Sequence, residues 1–78
     1  MTTYYGHKDW THYAVSTWIN NDKALYGIAR SYVRAYRDRG MLPAAFAFHR
    51  ELLDSGITHT PDGARYTVNT IRATLDNL

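Results

Sequence analysis

The side chains whose type and spacing most clearly suggest chemistry are the basic ones. Between positions 23 and 50 lie Lys23, Arg30, Arg34, Arg37, Arg39 and Arg50 against a single acid, Asp38, a block of +5 in a chain of net charge +2. The flanking segments are mildly acidic. At the helical angle, Lys23, Arg30, Arg34 and Arg37 fall within about 60° of one another, with Tyr26 at the edge of that arc. Guanidinium planes suit phosphate and carboxylate, and an aromatic ring beside them can stack on a base. An ordinary solvated helix face mixes signs, because acid–base pairs at i, i+4 stabilise a helix and like charges repel. Four cations without an acid among them favour an anionic partner.

The remaining reactive residues do not converge. Four histidines are present, at 7, 12, 49 and 59, and none has the i, i+4 spacing that sets two metal ligands on one helix face. His49 sits among Ala45, Phe48, Leu52 and Leu53, which predicts a hydrogen-bonded histidine at the core boundary. His59 belongs to a loop beside Thr58 and Thr60. His12 and Ser16 are one helical turn apart, but the sequence offers neither an orienting acid nor an oxyanion pocket for a base–nucleophile pair. Glu51, Asp54 and Asp62 read as helix caps or turn formers. The five glycines are scattered singly, so there is no phosphate-cradling loop, and the absence of Cys removes thiolate chemistry and disulfide staples. The expectation is a protein that is not an enzyme, with no catalytic residue, no metal site and no cofactor.

The elements that must position the basic residues read as helices throughout. The first is expected over 9–20, capped by Asp9 or Thr11, with Trp10, Ala14, Val15 and Trp18 on its apolar arc. Asn20-Asn21-Asp22 is a poor helix interior and a good boundary. The second, over 22–38, shows the clearest pattern: Leu25, Ile28, Ala29, Tyr32, Val33 and Tyr36 form a full apolar stripe opposite the cations, and Gly40 ends it. The third, over 43–54, starts at Pro43 and ends at Gly56, with Ile57 placed to fold back onto Leu52. Thr60-Pro61-Asp62-Gly63 is a turn. A last helix, over 67–77, is capped by Thr67 and carries Val68, Ile71, Leu75 and Leu78 on one face. No stretch alternates cleanly enough for a sheet. The fold class is therefore all-α, a small bundle of about four helices in one domain, 1–78, with a Tyr-rich lead over 1–8. A helix-turn-helix reader is disfavoured, because the third helix opens on Pro43-Ala44-Ala45-Phe46-Ala47-Phe48 and offers nothing to read a base edge.

Aromatic content is high for the size: seven Tyr, two Trp and two Phe in 78 residues. Trp10, Trp18, Tyr32, Tyr36, Phe46 and Phe48 are expected in the core. Tyr4, Tyr5, Tyr13 and Tyr26 have no core position in this scheme. Tyrosine near arginine is what interface hot spots favour, so these four join Lys23, Arg30, Arg34 and Arg37 as the candidate partner-binding set. Folding of Tyr4 and Tyr5 back over the helices is the alternative. Met1–Gly6 lacks a basic head followed by an apolar core, and the longest apolar run, Met41–Phe48, is broken by Pro43 and falls far short of the ~20 residues that span a bilayer. No membrane contact and a cytoplasmic location are expected.

The string Trp10-Thr11-His12-Tyr13-Ala14-Val15-Ser16-Thr17-Trp18-Ile19-Asn20-Asn21-Asp22, followed by Leu25-Tyr26 and closed by the Thr60–Gly63 turn, resembles small uncharacterised proteins of phages, prophages and plasmids. These carry a short Tyr/Gly-rich lead, a Trp…Trp-Ile-x-Asn-Asp helix and a Thr-Pro-Asp-Gly turn before a final helix. The resemblance implies a small accessory gene product of a mobile element, a group that includes anti-CRISPR and anti-restriction inhibitors acting by binding. Two functions follow as expectations. One is an anti-defence inhibitor that binds a host protein or nucleoprotein complex such as a CRISPR effector. The basic middle of the chain disfavours mimicry of DNA, so occlusion of a protein surface or contact with bound nucleic acid suits it better. The other is a small nucleic-acid-binding accessory protein using the second helix. A homodimer packing Tyr-rich faces together is a third possibility.

Overall fold

A computed structural model describes residues 7–78, so Tyr4 and Tyr5 lie outside the described residues. Four α-helices follow in order: α1 Trp10–Asn21, α2 Lys23–Ala35, α3 Met41–Asp54 and α4 Val68–Leu75. The all-α bundle is the architecture the periodicity predicts.

Three of the four helices open on a side-chain cap, and α3 opens from Gly40 without one. The Asp9 side chain accepts from the His12 amide and caps α1, and the Asp22 side chain accepts from the Leu25 amide and caps α2. Asp22 also donates its own amide to the Trp18 carbonyl at 2.9 Å, so one residue closes α1 and opens α2. Thr67 and Thr70 form a reciprocal capping box on α4. The third helix ends in a complete Schellman motif. Gly56, at φ +77°, donates to Leu53 O at 2.9 Å and Ile57 donates to Leu52 O at 2.8 Å.

Three boundaries differ from expectation by two residues or more, the last being the end of α4 at Leu75 rather than 77. The second helix stops at Ala35 rather than 38, because residues 36–39 close into a turn in which Arg39 and Gly40 both donate to Tyr36 O. The third begins at Met41, ahead of Pro43. Proline is tolerated there because the amide it lacks is among the first four, which have no partner in any helix.

The helices meet as a ring. The short α4 packs against α1 and α3, α2 packs against the same two and also meets α4, and α1 and α3 are the one pair of helices whose backbones do not approach closely. Among the described residues, Ala14, Val15, Ile19, Ala29, Ala44, Ala45, Phe48, Leu52, Ala64, Tyr66, Ile71 and Leu75 form the apolar core. Five of these are alanine, which lets backbones approach closely, and Phe48 is the largest fully buried side chain. Thr70 and Thr74 are also buried, and each satisfies its hydroxyl on a carbonyl one turn back, Thr67 O at 2.9 Å and Thr70 O at 3.0 Å.

Two aromatics expected in the core are on the surface, and one unassigned aromatic is inside. Trp10 is 40% exposed and Phe46 58% exposed, whereas Tyr66 is 3% exposed. The buried arc of α1 centres on Ala14, Val15 and Ile19, which leaves Trp10 about 120° away at the helix start. On α3 the buried arc is Ala44, Ala45, Phe48 and Leu52, and Phe46 projects from the opposite side. Tyr66 is carried inward by the connection from α3 to α4. There Gly63 donates to Thr60 O, Thr60 pairs with Ala64 O at 2.7 Å, and Tyr66 donates to Thr58 O at 3.0 Å. Thr60 is itself buried; its hydroxyl bonds the Asp62 carboxylate and receives the Ala64 amide. The expected Thr-Pro-Asp-Gly turn is thus the tip of a tight hairpin-like loop with a single β-bridge, His59 to Arg65.

The two glycines at 27 and 56 should respond in opposite directions to the same substitution. Gly27 lies exposed inside α2 with nothing near its missing side chain, so Gly27→Ala is expected to stabilise by about 0.5–1 kcal/mol. Gly56→Ala places a side chain at positive φ and is expected to cost about 1–2 kcal/mol. Thermal unfolding followed by circular dichroism reads both, with shifts of about 4–8 °C per kcal/mol for a domain of this size.

Candidate binding face on the second helix

The second helix divides as its sequence dictates. Ala29 is buried, and Leu25, Ile28, Tyr32, Val33 and Tyr36 are partly buried against the core. On the outside, Lys23, Arg30 and Arg34 are exposed along the helix, and Tyr26 stands 39% exposed. Arg37 is exposed too, but in the turn beyond the helix end rather than on the helix. Among the described residues the ion pairs are His12–Asp9, Arg50–Asp54 at 3.5 Å and Arg72–Asp76 at 3.9 Å. Lys23, Arg30, Arg34 and Arg37 take part in none of them. Tyr13 lies half-buried on α1, with its ring edge-on to His7 at 5.7 Å.

An aromatic ladder fixes α2 on α3 behind these cations. Tyr32 stacks on Phe48 with centroids 5.5 Å apart and planes 17° from parallel, and its hydroxyl donates to Glu51 Oε1 at 2.7 Å. Tyr36 follows at 6.1 Å from Tyr32, and the Arg39 guanidinium lies 4.1 Å over the Tyr36 ring. Glu51, read from sequence as a cap or turn former, is instead the acceptor of a bond between helices. That bond, followed by burial, pushes the Tyr32 hydroxyl up to about 12.

The other titratable groups fall into local arrangements. His12 Nδ1 lies 3.0 Å from Asp9 Oδ1, so an orienting acid does exist and it is the cap of α1. The Asp9 carboxyl is held below the usual range first by the His12 amide and then by the His12 side chain. Ser16, however, is engaged by Asn20, whose Nδ2 reaches Ser16 O at 2.8 Å and Ser16 Oγ at 3.3 Å. No hydrogen bond joins His12 to Ser16, and no base–nucleophile pair is assembled. His49 is half-buried with Nε2 3.2 Å from Tyr66 O, a carbonyl that requires the proton on that nitrogen, and it is the boundary histidine its neighbours predict. His59 is exposed and shares a 2.9 Å contact with Thr58 Oγ1. Among the described residues no three His, Asp or Glu side chains are grouped to hold a metal ion, and no helix is long and apolar enough to cross a membrane.

Compared with protein-family models, curated proteins and solved structures, the chain matches none.

The Tyr32–Glu51 bond has a definite pH signature. Its hydroxyl ionises at higher pH in the folded chain than in the unfolded one, so the stabilisation is fully present below about pH 10 and is lost as pH rises toward 12. Ultraviolet titration of tyrosinate should show a late component near that value, and Glu51→Gln should move it down. Tyr32→Phe should flatten the alkaline loss of stability over the same interval.

Proposed function

We propose that this chain is a small non-enzymatic binding protein that acts stoichiometrically on an anionic surface of a host nucleoprotein complex. The observation that carries the proposal is that Lys23, Arg30 and Arg34 on α2, and Arg37 in the turn after it, are exposed and free of ion pairs among the described residues. Where the chain does pair surface cations, it does so with an acid four residues on, as at Arg50–Asp54 and Arg72–Asp76. Lys23, Arg30 and Arg37 have no acid at that spacing, and Asp38, four residues after Arg34, lies in the turn beyond the helix and forms no ion pair with it, so the field that is left suits phosphate. The resemblance to mobile-element accessory proteins supplies the context: an inhibitor of host defence, anti-CRISPR in type, working in the host cytoplasm by occupying a CRISPR effector or a comparable complex.

Tyr26 favours a second reading, in which the same face binds free nucleic acid directly. It stands exposed between Lys23 and Arg30, where a ring can stack on an unpaired base. The two readings separate in the test. Mobility shifts of duplex DNA and of single-stranded RNA at 50 and 200 mM salt, as the probe conditions, should show affinity falling about a hundredfold if about four phosphates are neutralised. Arg30→Glu/Arg34→Glu should abolish it. Absence of any shift at low salt removes the free nucleic-acid reading. For the inhibitor, a pull-down from host lysate with and without nuclease, run beside plaquing on defence-bearing hosts, should recover one complex and restore plaquing. Recovery of the chain alone with unchanged plaquing overturns that reading.

A further inference from the structure

The loop between α3 and α4 does more than connect them. It packs over the corner where α1 meets α2 and leaves a cleft of about 470 Å³ there. Trp18, Leu25 and Ile28 line it from the helical corner, and Ile57 and Pro61 from the loop. A volume of this size lies within the range of small-molecule sites, which are lined mostly by apolar groups with a few polar ones to fix orientation. The Schellman turn of α3 explains how Ile57 reaches this place. Its backbone folds back to Leu52, yet its side chain stays outside the core and 37% exposed.

Among the residues lining the cleft the one acid is Asp22 and the one base is His59. Asp22 contributes a carboxylate that gives one oxygen, Oδ1, to the Leu25 amide. Tyr66 is 3% exposed, and among the described residues its hydroxyl has no hydrogen-bond partner. It is not sealed in either, since among the described residues no buried side-chain polar atom is left unsatisfied. Such a group wants a partner that arrives from solvent. The hydroxyl also sits in a negative environment: burial first, then the Asp22 and Asp62 carboxylates, raise it above the ordinary tyrosine value. His59 also lines the cleft, exposed, with Nδ1 engaged by Thr58. A largely apolar, aromatic cleft with one carboxylate differs in character from the basic surface on α2.

We propose that this cleft binds a small organic ammonium ion with a compact apolar body. The body fills the space between Trp18, Leu25, Ile28, Ile57 and Pro61. The ammonium meets Asp22 and the Tyr66 hydroxyl oxygen, with the Trp18 indole near enough in the same lining to add a cation–π attraction. The site is independent of the cations on α2.

Hexylammonium is a suitable probe, with hexanol and hexanoate as neutral and anionic controls of the same body. Amide and indole shifts of the full chain are followed by NMR. Saturable shifts at Trp18, Leu25, Ile57 and Tyr66 are expected with the cation. Hexanol and hexanoate should bind roughly fivefold or more weakly, about the contribution of one partly screened ion pair. Asp22→Asn keeps a good helix cap while removing the charge, and it should weaken the cation to the level of hexanol. Ala24→Phe, at an exposed position on the lining, should block all three without touching the core. Arg30→Glu/Arg34→Glu should bind hexylammonium no less tightly than the wild type, which separates this site from the α2 face. Non-saturating shifts, equal affinity for hexanol, or an unchanged response in both Asp22→Asn and Ala24→Phe would overturn the proposal.

Discussion

The helix that carries the cations has only one fully buried residue, Ala29, and everything it presents depends on how it is held. The hold comes from half-buried side chains, and chiefly from Tyr32, which stacks on Phe48 and bonds Glu51 across to α3. Stacking aligns the helix against the largest core side chain, and the hydroxyl bond fixes its rotation about its own axis. Rotation matters because the cations are ordered by that axis alone. A slip of one residue, 100° of turn, would carry Arg30 and Arg34 toward the bundle. The basic face is therefore a by-product of a core contact made on the far side of the same helix.

The rest of the bundle shows how a small chain without disulfides satisfies its packing. Alanines at 14, 29, 44, 45 and 64 let the ring of helices close, and two buried aromatics, Phe48 and Tyr66, supply bulk. Buried threonines on α4 return their hydroxyls to their own helix, so they cost little in unpaired polar groups. Trp10, Tyr26 and Phe46 are left outside because their helical angle faces away from this narrow interior.

Much of this was legible in the sequence where the interactions are local. Asp9, Asp22 and Thr67 are caps because a short acceptor precedes a helical pattern, and the apolar face of α2 follows its periodicity from Leu25 to Val33, while Tyr36 and Arg37 fall in the turn that ends the helix. Trp10 and Phe46 misled because a helical wheel ranks residues by apolarity, while the bundle chooses the arc that can approach a neighbour, and on α3 that arc is alanine. Tyr66 was missed because only the closure of the 58–66 loop, through Thr58, Thr60 and Ala64, turns it inward. The bond from Tyr32 to Glu51 spans nineteen residues, and the cleft joins Trp18 to Tyr66. No spacing rule reaches that far. The basic stripe could be placed without knowing any of this, since exposure is what remains once the opposite face is packed.

Asp22 is the whole of the connection between α1 and α2: its amide ends one helix and its carboxylate starts the next. A joint of one residue has no slack, so the direction of the cationic helix is set by the direction of the helix before it. Length can vary only elsewhere, at the turn over 36–40 or in the hairpin tip near Pro61 and Asp62. A graft in the first would displace Arg37 alone among the four cations, and one in the second would disturb Pro61 in the cleft while leaving Lys23, Arg30 and Arg34 where they are.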